Sequence, residues 1–151
     1  MRKTAFSLVE LVIVIVIIGV IAAIAVPRVS RAAIGAKEAS LRATVRNIAS
    51  QVQLYYAEEG TYPGDIDPAW FSSGKISNPY NPDHPTPVFL SPNPADQHPI
   101  WKIIRGGSTF WYNPASGIFR GRVDDTLSNP ETIALYNRVN NTNVTSITQR
   151  N

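Results

Sequence analysis

The chain opens on one apolar block. From Phe6 to Val26 only Ser7 and Glu10 are polar, and the run from Leu11 to Val26 is broken by nothing but Gly19. A helix of that length is about 31 Å long at 1.5 Å per residue, close to the hydrocarbon thickness of a bilayer. The β-branched run Val12–Ile18 would favour a strand in water. In lipid the backbone has to satisfy itself, which forces a helix. The pattern then changes period. Between Arg28 and Glu59, Ile34, Leu41, Val45, Ile48, Val52 and Tyr55 recur at helical spacing, with Lys37, Arg42, Arg46 and Gln53 off the stripe. This predicts an amphipathic helix with one apolar seam, ended at Gly60. Joined, the two segments make one helix roughly 80 Å long.

Residues 61–100 hold nine of the twelve prolines, so turns and extended pieces are expected there, with a packing or recognition role. Trp101–Ile104, Thr109–Tyr112 and Ile118–Val123 are rich in aromatic and β-branched residues, and turn-forming clusters separate them. They predict a three-stranded antiparallel meander. In its last strand Phe119, Gly121 and Val123 form an apolar face toward the helix seam, and Arg120 and Arg122 a solvated one. Ser128–Glu131 starts a short helix whose buried side is Ile133, Tyr136 and Val139. Residues 140–151 read as a polar, mobile tail.

Composition excludes several kinds of chemistry. With no cysteine there is no disulfide, thiolate metal site or cysteine nucleophile. Residues 1–57 carry seven Lys/Arg and two Glu, giving +5, and residues 58–151 carry seven Lys/Arg and nine Asp/Glu, giving −2. No basic face for nucleic acid follows from the second half. His84 and His98 each stand before or near proline in the irregular region, outside any metal-like or triad-like pattern. No phosphate loop or nucleophile elbow is present, and the chain is read as non-enzymatic.

Glu10 is the informative residue. A carboxylate near the centre of a spanning helix costs about 2.5–3.5 kcal/mol, less near the interface. A plain anchor has no use for it, although it could snorkel to the interface. The leader Met1-Arg-Lys-Thr-Ala5 followed by Phe6-Ser-Leu-Val-Glu10 resembles the processing signal of type IV pilin-like proteins, closest to a type II secretion major pseudopilin. The resemblance implies cleavage between Ala5 and Phe6 by a prepilin peptidase and N-methylation of Phe6. It also implies that Glu10 pairs with the new amine of a neighbouring subunit. Ala5 departs from the Gly more usual in that family before the cut. Gly19 and Pro27 stand where pilin-like helices carry a Gly and a Pro, in a stretch that can unwind on assembly. By itself Pro27 should kink or locally melt the helix. Tyr62–Pro63 resembles the Tyr-Pro that follows the long helix in many major pseudopilins.

The implied organisation is a leader (1–5), a transmembrane helix (6–27), an amphipathic helix (28–59) and an extracytoplasmic head (60–151). The head comprises a Pro-rich loop (60–100), a sheet (101–123) and a short helix with its tail (124–151). The implied fold is α+β and pilin-like. Arg2 and Lys3 put the N-terminus in the cytoplasm, but Arg28 and Arg31 nearly balance them. A single-pass inner-membrane protein with a periplasmic head, later extracted into a filament, therefore rests on the resemblance. So do its partners: identical or related pilin-like subunits, a secretion or pilus assembly platform, and the membrane. Two other readings stay open: a type IV pilin for adhesion, motility or DNA uptake, and a monomeric membrane-anchored binding module. The resemblance also implies calcium at an acidic C-terminal loop, with Asp124 and Asp125 as candidate ligands. Adjacent aspartates are equally common as turn residues, and no other cofactor is implied.

Overall fold

The computed structural model describes residues 7–71, 73–85, 87–104 and 107–151. The chain divides into two compact units, Met1–Ala36 and Lys37–Asn151. Helix α1 (Leu8–Glu59) begins in the first unit and ends in the second. It is unbroken at Pro27, so the expected local melting is not seen. Pro27 still withholds the N–H that the Ala23 carbonyl would otherwise accept. α1 ends where the sequence places its stop, with Gly60 at φ +72° and its N–H donating to the Tyr56 carbonyl (2.9 Å).

In the second unit the predicted seam forms in part. Leu41, Val45, Ile48 and Val52 are buried, whereas Ile34, in the first unit, is 59% exposed and Tyr55 lies at the margin. The four buried residues share a core with Phe110, Tyr112, Phe119 and Val123 of the sheet region and with Leu135, Tyr136 and Val139. Helix and sheet approach so closely that a Cβ on Gly121 would stand 2.8 Å from Val45 Cγ2. The architecture is α+β, a long helix packed on a small three-stranded sheet.

The sheet differs from the expected meander. Its strands are β1 (Val88–Leu90), β2 (Phe110–Asn113) and β3 (Ile118–Gly121), in that order. β2 and β3 form the antiparallel hairpin, with Tyr112 opposite Phe119, but β1 runs parallel to β2, with Val88 opposite Phe110. The sheet is thus mixed. The first predicted strand, Trp101–Ile104, makes only an isolated parallel bridge, Ile103 with Val123. The physical reason lies in the prolines. Pro87 cannot donate to a ladder, but its carbonyl accepts the Phe110 N–H (2.7 Å), and prolines are tolerated on an edge. An extended Pro-rich piece therefore takes the β2 edge that Trp101–Ile104 would have used.

The faces also differ. Arg122, assigned above to a solvated face, is only 7% exposed, and Trp111 is 2% exposed. The loop segments before β2 cover the side of the sheet opposite α1. Buried amides fasten the loops: Asn113 Nδ2 donates to the Asp96 carbonyl (2.8 Å), and Asn78 Nδ2, between Ile76 and Tyr80 at the margin of the core that α1 shares, donates to the carbonyls of Thr109 and Arg122 (both 3.0 Å).

Helix α2 (Asn129–Asn140) starts where the sequence places it, and does so with a capping box, the Ser128 N–H donating to Glu131 Oε2 at 3.1 Å. Thr132, Leu135, Tyr136 and Val139 are its buried side, with Ile133 half-buried. Residues 140–151, expected to be a mobile tail, are instead hydrogen-bonded to the domain. Asn140 bonds both the N–H and the carbonyl of Gly121 (2.8 and 2.9 Å), and the Arg150 carbonyl accepts from Gln97 and His98 N–H.

His98 is a core residue: it is buried, with Nδ1 3.2 Å from the Tyr136 hydroxyl. Burial, with Arg120 and Lys102 nearby, pushes it down to about 4. The folded protein therefore keeps it neutral while an unfolded chain takes up a proton below about pH 6.5. The melting temperature should fall as pH drops from 6.5 toward 4. A His98→Gln variant, which keeps a polar group beside Tyr136, should show a shallower slope in circular-dichroism melts over that window. Parallel slopes would remove His98 from the acid sensitivity.

Candidate functional site

The N-terminal part of α1 is where the sequence-predicted assembly residues fall. Ala5 and Phe6 lie outside the described residues. Glu10 is in the first turn of α1, and its Oε2 accepts the backbone N–H of Ser7 at 2.9 Å. This satisfies one of the donors a helix N-terminus leaves open and places negative charge at the positive end of the helix dipole. An ionised carboxylate has about four acceptor sites, so the bond to Ser7 leaves capacity for a cation.

Every large apolar residue from Leu8 to Val29 is exposed, from 44% at Val12 to 77% at Leu8. At roughly 25 cal/mol per Å2, such a surface is strongly unfavourable in water and requires lipid or other helices around it. α1 is long and apolar enough to cross a membrane. A Cβ built on Gly19 meets nothing within 4 Å, so its small surface is open to an approaching helix. Residues 1–26 match the family model for the prokaryotic N-terminal methylation motif. The match supports a type IV pilin-like protein. In such proteins the motif is a prepilin peptidase cleavage site, and the proteins form filaments. The motif family is structural rather than enzymatic, and the apolar helix suggests membrane anchoring. No curated protein and no solved structure matches the chain.

The Tyr62–Pro63 dipeptide joins α1 to the sheet. The Tyr62 ring stacks on Tyr56 (centroids 4.4 Å apart), and a Cβ on Gly117 would fall 2.3 Å from it. The buried Pro63 offers its carbonyl to the Tyr112 hydroxyl at 2.8 Å.

The acidic pair after β3 is built as a turn. Asp124 Oδ1 accepts from both the N–H and the hydroxyl of Thr126 (3.0 and 2.9 Å), and Asp125 is exposed. Among the described residues no three of His, Cys, Asp and Glu come together as a metal site. A hard cation takes six to eight oxygens. At Asp124 and Asp125 most of them would have to come from carbonyls, hydroxyls and water.

Sequence reasoning missed a second cluster, around Lys102. Lys102 is fully buried, its Nζ donating to the carbonyls of Pro99 (2.7 Å) and Gln149 and lying 5.5 Å from the Tyr136 ring centroid. Burial, with Arg122 and Arg150 nearby, pushes its ammonium down to about 8. Arg122 is beside it, and Arg150 pairs with Asp96 at 3.6 Å. The only signal for this cluster in the sequence was three basic residues in the second half, at positions far apart.

Proposed function

We propose that the chain is a structural subunit of a type IV pilus-like filament, most specifically a pseudopilin of a type II protein secretion system. The observation that carries this reading is the methylation motif at residues 1–26 on a helix whose apolar surface is exposed and holds Glu10 as its acid. A prepilin peptidase cuts between Ala5 and Phe6, and Phe6 is N-methylated. The resulting ammonium at the membrane is costly without a partner, and Glu10 of a neighbouring subunit supplies the carboxylate. A slipped helix leaves both charges unpaired, which sets the register. Gly19 admits close helix contact, and Pro27, already lacking one backbone bond, marks where α1 opens most cheaply on assembly. The head faces the periplasm before extraction from the inner membrane by the assembly platform. The Tyr62–Pro63 junction and the lack of cysteine favour the secretion machine over a pilus. The subunit works as a structural element without catalysis or nucleic acid, with calcium at Asp124 and Asp125 as the one ion its acidic turn could take.

The intact mass of membrane-extracted protein tests this. The expected species lacks Met1–Ala5 and carries one added methyl group on Phe6. A mass that retains the leader overturns the assignment.

A further inference from the structure

A pocket of about 330 Å3 opens on the side of the sheet away from α1, at the lower end of the roughly 300–1,000 Å3 of ligand sites. Its walls include Phe89, Ile100, Trp101 and Trp111, with Asp96, Arg122 and Arg150 as its charged groups. Phe89, Ile100 and Trp101 are 45%, 41% and 44% exposed, an apolar rim beside the β1 edge.

The charges in it do not balance. Asp96 is taken by Arg150, 3.6 Å away, and by the Asn93 amide at 3.1 Å. Arg122 is 93% buried by its 7% exposure. One of its Nη atoms donates to the Ser108 carbonyl at 3.0 Å, and its guanidinium lies 5.7 Å from the Phe89 ring centroid. Its Nε is buried with no hydrogen-bond partner, and among the described residues no carboxylate pairs with it. Lys102, also nearby, is held by two carbonyls and brings no negative charge. A buried, uncompensated guanidinium is costly unless an anion meets it. With one Nη on Ser108 and Nε closed off from solvent, the other Nη is the donor left for a carboxylate oxygen. Because aromatic and aliphatic side chains dominate the open part of the pocket, a singly charged anion with an apolar body suits it. A doubly charged phosphate would lose more hydration than one arginine restores.

We propose that this pocket binds a carboxylate attached to an apolar group, such as the C-terminal residue of a polypeptide or a small hydrophobic acid. The carboxylate docks on Arg122, and the apolar group lies against Phe89, Trp101 and Trp111.

The test uses the full chain in lipid nanodiscs and titrates N-acetyl-phenylalanine, following tryptophan fluorescence and calorimetry. The matching amide, N-acetyl-phenylalaninamide, and inorganic phosphate are the comparison ligands. The acid should bind at least tenfold more tightly than either. Arg122→Gln should remove that preference, and Phe89→Ala, at a half-exposed position, should weaken the acid severalfold without lowering the melting temperature. Should Arg122→Gln fail to fold, the Phe89→Ala result and the acid–amide comparison still decide. Equal binding of acid and amide, preference for phosphate, or no binding to the folded wild type overturns the proposal. A peptide with a free apolar C-terminus, set against the free acid, tells a polypeptide end from a small molecule. The mass measurement above is independent of all these outcomes.

Discussion

Glu10→Gln should cut incorporation of the chain into filaments at least tenfold while leaving its membrane insertion unchanged. The choice of glutamine separates two roles of this side chain. In the structure Glu10 Oε2 accepts the Ser7 N–H, and a glutamine oxygen at the same position of a helix can do the same. What glutamine cannot do is neutralise an ammonium. An unpaired charge at the membrane costs several kcal/mol, and 1.4 kcal/mol is already tenfold in an equilibrium. Glu10→Leu, which loses both roles, should be no better than Glu10→Gln. Filament recovery by shearing, with cross-linking of tagged and untagged subunits, measures incorporation. If either variant co-assembles with wild-type subunits at full yield, charge pairing is not what holds the register.

The largest effect on stability is expected at Ile48. This side chain is fully buried in the core that joins α1 to Phe110, Tyr112 and Phe119. Ile48→Ala should cost about 2–5 kcal/mol, the transfer energy of the lost methyl groups plus the cavity they leave. Ile34→Ala is the internal comparison. The two residues belong to the same apolar stripe, but Ile34 is 59% exposed, and its truncation should stay within about 0.5 kcal/mol. Urea denaturation of the two variants in the same micelles measures both. Equal losses would mean that α1 is not held to the sheet through this seam.

The contrast between Ile34 and Ile48 shows how far periodicity reaches. Heptad-like spacing identifies a helix and the face that is apolar, because side-chain direction is local. Which part of that face is covered depends on where the sheet lies, and no local pattern encodes that. The same limit explains the strands. Phe110–Asn113 and Ile118–Gly121 were legible because a hairpin is a local object, its register set by the turn between its strands. The strand Val88–Leu90 was not, since pairing across residues 91–109 is non-local and its prolines argued against it. Arg122 misled for a related reason. Alternation with Phe119, Gly121 and Val123 fixes the face on which it stands, whereas the cover on that face comes from distant loops.

The apolar helix, its acid at Glu10, the stop at Gly60, the hairpin and the start of α2 at Ser128 could all be read from the chain alone. All of these follow from composition or from contacts a few residues apart. Only the tertiary structure decided the mixed sheet, the docked C-terminal segment and the burial of Lys102 and Arg122. These depend on chain segments that meet from far apart, where the energy of a buried amide or guanidinium is set by neighbours that the local sequence does not name.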